Sequence, residues 1–277
     1  MDGPTALTEA VRELRDRGGA VLAAFLAAVG VTTLVARDSI LQAITQQQDL
    51  LDSIYAAYAD AGIDRSQLPE LTEFATPLAV DISYGAGVAL LFVAALLAEF
   101  GTIVVLRVVA GESPRQAATR RIGRTLVFGF LAGTVVRLLT VVGLVLFILP
   151  GLFIGVSLLF VHASIVIDDT GPLAAFEHSW ELTSGRRFEV VSVGLMLVAL
   201  YATPRAFAPL IPGTAGVVVM GATSGLAVLL SAGVVGRTYL ALRDGEPDAE
   251  STDEETEDDD ADPYDAPLGP DDLPEPE

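Results

Sequence analysis

The longest apolar stretch of the chain runs from residue 125 to residue 167, and only Arg137 and His162 interrupt it. A single helix over those residues would be about 65 Å long, roughly twice the thickness of the hydrocarbon core of a bilayer. The stretch must therefore fold back on itself. Pro150 followed by Gly151 is where a helix would end and the chain would turn. We predict two membrane-spanning helices here, over residues 125–148 and 151–167.

Four further apolar segments have the length of membrane-spanning helices. The segment that precedes Pro204 is short, so a re-entrant half-helix is the alternative there. The pattern as a whole predicts an all-α fold, a polytopic helical membrane bundle of about six transmembrane helices within residues 1–243. The four segments cover residues 19–36, 80–109, 188–203 and 214–242.

Amphipathic periodicity marks two of the segments that flank the spans. Residues 4–17 place Leu7, Val11 and Leu14 on one side of a helix, which predicts a short helix on the membrane surface. The loop 37–77 also repeats its apolar residues near helical spacing, so we expect a helix that caps the bundle, rests on the lipid or contacts a partner. The apolar positions of that loop are Ile40, Ile44, Leu51, Ile54 and Tyr58.

The formal net charge of −20 belongs mostly to the end of the chain. Residues 244–277 hold 17 of the 36 acidic residues and no arginine, so residues 1–243 carry 19 acids against 16 arginines, a net charge of −3. The tail has no apolar periodicity and should be disordered, either as a solvated acidic segment or as a docking segment for a basic partner. The overall composition resembles that of proteins from salt-accumulating halophilic archaea.

Two missing residue types exclude several chemistries. The chain has no lysine and no cysteine. A phosphate-binding loop lysine, a Schiff-base lysine, a thiol nucleophile and cysteine-ligated zinc are therefore excluded. We expect no catalytic residues, no metal site, no cofactor and no nucleic-acid partner.

The distribution of arginine predicts the orientation in the membrane. With six spans, one side receives twelve arginines and the other side receives three, Arg37, Arg65 and Arg205. Arginine accumulates in cytoplasmic loops, so we expect a multi-pass protein of the cell membrane with both termini in the cytoplasm. The twelve are Arg12, Arg15, Arg17, Arg107, Arg115, Arg120, Arg121, Arg124, Arg186, Arg187, Arg237 and Arg243.

A polar segment at residues 168–189 holds His178 and Ser179 next to each other. A catalytic triad needs its base within hydrogen-bond reach of the nucleophile, whereas neighbours on a helix diverge by about 100°. We therefore interpret the segment as an interfacial helix on the cytoplasmic face, not as a catalytic cluster. Its apolar stripe is Leu173, Phe176 and Trp180.

Residues 149–188 carry a pattern that resembles a loose superfamily of membrane proteins. The pattern is a Pro-Gly turn, an apolar span, an acidic-Gly turn, and a helix with Ser-Trp followed by Gly-Arg. The superfamily includes the membrane domain of some glycerophosphoryl diester phosphodiesterases, the YciC-like membrane proteins and haloarchaeal relatives. The resemblance implies a six-helix membrane domain. It does not imply phosphodiesterase activity, which belongs to a separate soluble domain in those enzymes. The matching residues here are Pro150, Gly151, Asp168, Gly171, Ser179, Trp180, Gly185 and Arg186.

Three ionisable residues lie inside the predicted spans. Charges at bilayer depth are costly, so Glu99, Arg137 and His162 are candidates for a polar path for a proton, an ion or an anionic substrate. The alternative is a structural ion pair between Glu99 and Arg137, which would lie about 15 and 20 Å from the same membrane face. Glycine pairs four residues apart in the spans predict close helix packing. The pairs are Gly129/Gly133, Gly151/Gly155 and Gly221/Gly225.

Three functions are compatible with this sequence. A non-enzymatic membrane scaffold or envelope component would contact the lipid bilayer and bind protein partners through the tail or the loop 37–77. A transporter or lipid-translocating protein would have a water-accessible cavity beside Glu99 and Arg137. An intramembrane enzyme is the least favoured, because the chain is poor in acid, base and nucleophile groups.

Overall fold

The computed structural model describes residues 3–64, 66, 76–207 and 210–245, so the predicted tail lies almost entirely outside the described residues. This part of the chain is built from helices, with no β-strand among the residues described. The helices are α1 Gly3–Asp16, α2 Gly19–Gln46, α3 Gln48–Asp60, α4 Tyr84–Val109, α5 Pro114–Ala117, α6 Ile122–Leu146, α7 Ile148–Ser157, α8 Val161–Ile167, α9 Pro172–Thr183, α10 Arg187–Phe207 and α11 Gly213–Asp244.

Six segments within these ranges are long and apolar enough to cross a membrane, which confirms the predicted fold class. They are Gly19–Gln46, Tyr84–Val109, Ile122–Leu146, Leu149–Ile167, Arg187–Phe207 and Gly213–Asp244.

The first span is longer than predicted. Helix α2 continues ten residues beyond position 36, because the sequence from Arg37 to Gln46 contains neither proline nor glycine. The predicted outer loop therefore begins later and continues with α3. Asp38 and Ser39 on this extension are buried and accept hydrogen bonds from the backbone of Leu78 and Val80, which ties the returning chain to α2.

Helix α2 packs closely against α11, and α4 packs against both. The crossing of α2 and α11 has Gly30 on one helix and Gly221 and Gly225 on the other. A Cβ atom at any of the three would overlap the backbone of the facing helix. The predicted spacing of Gly221 and Gly225 thus marks a true close approach, which brings many backbone atoms into van der Waals contact.

The fourth span differs from the prediction in two places. The chain turns at Phe147, in an extended conformation, and Pro150 lies in the first turn of α7. Proline is tolerated there because the first N–H groups of a helix lack intrahelical partners. The span is then broken at residues 158–160, between α7 and α8. Gly151 packs against the backbone of Gly143 and Leu144 in a tight α6–α7 hairpin.

The fifth span also continues further than predicted. Helix α10 extends through Pro204 to Phe207, so it is 21 residues long. Pro204 lies in the last turn, where its missing N–H removes only one backbone hydrogen bond. The length supports a full span over the re-entrant alternative.

The surface helices pack through small residues together with part of their predicted apolar stripes. Helix α1 buries Ala6, Ala10 and Leu14, whereas Val11 from the predicted stripe is exposed. Helix α9 buries Ala175, Ser179 and Thr183. The predicted stripe is divided: Leu173 is 83% exposed, whereas Phe176 is partly buried against the cluster that contains Ala175. Small side chains let these helices lie close to the bundle, as where Ala10 faces Gly233 of α11.

Candidate functional site: a polar cavity between the spans

A cavity of about 360 Å³ lies between α4, α6, α7, α8, α10 and α11. Its walls include Glu99 of α4, Arg137 of α6 and His162 of α8, the three residues singled out by the sequence. The structure thus brings three ionisable side chains from three different spans to the surface of one cavity. This is an arrangement that spacing along the chain could suggest but not establish.

The carboxylate of Glu99 faces His162, with 3.3 Å between Oε1 of Glu99 and Nε2 of His162. Both atoms are buried, and neither makes a well-aligned hydrogen bond with the described residues. Gly129 of α6 leaves the space for this pair, because a Cβ atom there would lie 2.5 Å from Oε1 of Glu99. The Gly129/Gly133 pair thus lies against polar side chains of neighbouring helices, Glu99 and His162 at Gly129 and His162 at Gly133.

Arg137 does not contact Glu99, so the predicted ion pair between them is absent from the structure. It lies eight residues beyond Gly129 along α6, which is about 12 Å further along the helix than the level of Glu99. Counting from predicted span boundaries underestimated this offset, because α6 begins at Ile122 and the register between helices is a tertiary property. Arg137 has no ion pair or hydrogen bond to any residue in the described ranges.

Hydroxyl groups from other helices complete the polar part of the wall. Thr102 of α4, Tyr201 of α10 and Ser231 of α11 all line the cavity. Ser231 is 5% exposed, and its Oγ has no hydrogen-bond partner in this part of the chain. Ser231 could not be predicted from the sequence, because a lone serine in an apolar helix carries no distinguishing pattern.

The break in the fourth span lies beside this cavity. Leu158 and Leu159, in the non-helical turn, form part of the wall. Ser179 of α9 provides hydrogen-bond partners for the backbone at the break. Its Oγ accepts a hydrogen bond from the N–H of Phe160 at 3.2 Å and donates one to the carbonyl of Ser157 at 2.9 Å. Non-helical backbone at membrane depth requires such internal partners.

The other residues of the Pro-Gly to Gly-Arg pattern surround that break. Asp168 accepts hydrogen bonds from the hydroxyl of Tyr239 and from Arg243, the latter at 2.8 Å. The ring of Trp180 packs edge-on against Phe153, with 5.5 Å between ring centroids. Gly171 precedes Pro172 at the start of α9, and Gly185, with φ of 88°, ends the turn before Arg186 and α10. The pattern therefore describes a structural junction more than a reactive centre.

A buried arginine in the last turn of α4 lies next to this junction. Arg107 of α4 is fully buried and donates to the carbonyls of Val166, Ala117 and Arg120 and to the hydroxyl of Thr125. Its guanidinium also lies 3.6 Å from Asp169. The sequence predicted only that Arg107 belongs to the arginine-rich side of the membrane; its buried side chain joins α4 to α5, α6 and α8.

His178 and Ser179 do not form a catalytic pair. Ser179 bonds across the break, whereas the ring of His178 lies 6.0 Å from that of Tyr239. No group of three or more His, Asp or Glu side chains in the described ranges is arranged to hold a metal ion.

Six apolar helices, with an intramembrane cavity among them, define a multi-pass integral membrane protein. No family model, curated protein or solved structure matches this chain.

Proposed function

We propose that this chain is a transporter-type membrane protein that binds a small molecule in its intramembrane cavity and moves it across the bilayer. The observation that carries the proposal is the convergence of Glu99, Arg137 and His162 on one cavity. Ionisable groups inside membrane spans characteristically mark the pathways of substrates, ions and protons.

The broken fourth span supports the same proposal. Transporters commonly build their binding sites from discontinuous helices near the middle of the bilayer. Here the break at residues 158–160 borders the cavity, and α8 carries His162 immediately after it.

A scaffold was the first hypothesis from the sequence, and it would use Glu99 and Arg137 as a structural pair. The two side chains are apart and both line the cavity, which favours translocation over a dry structural contact. We further propose that the protein is non-enzymatic, that it lies in the cell membrane with both termini in the cytoplasm, and that it is related to the superfamily that residues 149–188 resemble.

The proposal can be tested in proteoliposomes that contain the full-length protein. One arm measures the movement of nitrobenzoxadiazole-labelled phosphatidylcholine and phosphatidylglycerol between leaflets, read by dithionite quenching. A second arm measures proton entry with internal pyranine. We expect transport in at least one arm above that of protein-free liposomes.

A matched pair of variants connects transport to the cavity. Gly133→Leu places a large side chain in the cavity, where the nearest atom to a Cβ would be Nδ1 of His162 at 3.9 Å. Gly194→Leu makes the same change on α10, where a Cβ would meet no atom within 4 Å. Transport should fall in the first variant and persist in the second. Equal transport in both, or none in the unmodified protein, would refute the proposal.

A further inference from the structure

Arg137 is a charged side chain without a counter-charge. Within residues 3–64, 66, 76–207 and 210–245 it has no carboxylate within ion-pair distance and no hydrogen-bond acceptor. A guanidinium in apolar surroundings is stabilised strongly by an anionic group, which it can bind through two parallel hydrogen bonds. We propose that the cavity binds an anionic amphiphile, a molecule with an apolar chain and a carboxylate or phosphate headgroup, and that Arg137 binds the headgroup.

This inference rests on the proposed function, since it names the class of substrate for the same cavity. We assign anion binding to Arg137 because the other polar groups of the cavity wall either face each other or are hydroxyl groups. Glu99 of α4 faces His162 of α8, and α10 contributes Tyr201. Helix α11 contributes the hydroxyl of Ser231 but no charge. Glu99 thus lies at the level of Gly129, about 12 Å from the level of Arg137 along the axis of α6.

The remaining wall suits the apolar part of such a molecule. It is formed mainly by aliphatic and aromatic side chains, with polar groups at only a few points. A volume of about 360 Å³ lies at the lower end of the range for small-molecule sites, so it accommodates a chain but not a folded partner. Representative wall residues are Phe130, Val136, Leu159, Leu197 and Val228.

The position of Arg137 favours entry of the amphiphile into the cavity from the bilayer. Arg137 is exposed, and so is Tyr201 across the cavity, at 43%. Their neighbours Leu138 of α6 and Val198 of α10 are 60% and 66% exposed. In a multi-pass membrane protein such apolar faces contact lipid, so the headgroup site borders the region from which an amphiphile would arrive.

The chain offers a convenient optical test, because Trp180 is its single tryptophan. The Trp180 ring packs against Phe153, two residues before Gly155 of the cavity wall. The probe is cis-parinaric acid, a fluorescent fatty acid that accepts excitation energy from tryptophan. Energy transfer is measured during titration of the full-length protein in detergent, with the uncharged methyl ester of the same acid as the matched probe.

Two arginine variants on one helix provide the control. Arg137→Gln removes an uncompensated charge, so the fold should be retained. Arg124→Gln removes an arginine that lies over the ring of Phe128, 5.2 Å from its centroid, and that does not line the cavity. We expect saturable energy transfer that weakens about tenfold in Arg137→Gln, consistent with the loss of a charge-assisted contact, and is unchanged in Arg124→Gln. The methyl ester should bind the unmodified protein about as weakly as the acid binds Arg137→Gln.

Three results would overturn the inference. Transfer that does not saturate would mean partitioning into detergent only. Equal affinity in both arginine variants would remove Arg137 from the site. Displacement of the probe by inorganic phosphate would make a soluble anion the ligand. If transport persists but Arg137→Gln binds the probe as tightly as the unmodified protein does, this inference is refuted and the proposed function is not. Saturable binding without transport in any arm would refute the proposed function alone.

Discussion

Gly129 lies directly against the carboxylate of Glu99, so closely that a methyl group at position 129 would displace it. We predict that Gly129→Ala separates Glu99 from His162, lowers transport and destabilises the fold by about 1–3 kcal/mol through overpacking. Thermal unfolding in detergent and the liposome assays measure both effects. Gly123→Ala on the same helix is the control, since a Cβ there meets no atom within 4 Å. Indistinguishable variants would mean that the close approach does not constrain the pair.

The hydroxyl of Ser179 should contribute more to the free energy of unfolding than the buried hydroxyl of Ser231. Ser179→Ala leaves the N–H of Phe160 and the carbonyl of Ser157 without this partner, and we expect a cost of about 1–3 kcal/mol. Ser231→Ala removes a buried hydroxyl that has no partner within the described residues, so it should be neutral or slightly stabilising. Thermal unfolding of the two variants checks the difference, and a larger loss in Ser231→Ala would contradict it.

Arg107 should be the most sensitive arginine of the chain. Arg107→Gln leaves three carbonyls and Asp169 without their cationic donor, and we expect a loss of about 3–5 kcal/mol or failure to fold. Arg115→Gln changes an exposed arginine of α5 and should shift stability by less than about 0.5 kcal/mol. Fluorescence-detected chromatography after heating distinguishes the two. Similar behaviour would show that the buried network contributes little.

Membrane orientation can be read with single cysteines, because the chain contains none. Arg115→Cys and Asp60→Cys place a thiol at exposed positions on α5 and α3. Since arginine accumulates on the cytoplasmic side, an impermeant maleimide should label position 60 in intact cells and position 115 only after lysis. The reverse pattern would invert the proposed topology.

The fold was predictable because it depends on local properties. Apolar length and helix breakers are encoded within each segment, so six spans could be counted from the sequence. The boundaries were less accurate where one residue has two roles. Pro150 was predicted to end a helix but lies in the first turn of α7, and Pro204 was predicted to end a span but lies in the last turn of α10.

The ionisable residues of the cavity could be predicted from the sequence, but the contacts between them could not. Glu99, Arg137 and His162 stand out because ionisable groups are rare in spans. Which of them meet depends on the register between helices, which Gly129 and the break at residues 158–160 determine. The burial of Arg107 could not be predicted either, since its acceptors come from residues 117–169 and no local pattern connects them.

The acceptors of Arg107 also have a consequence for biogenesis. All of them, from Ala117 to Asp169, follow Arg107 in the chain, so they leave the ribosome after it. The complete set of contacts around the guanidinium can therefore form only after the next two spans have been synthesised. The end of α4 is thus fixed in its native surroundings by segments that are translated later.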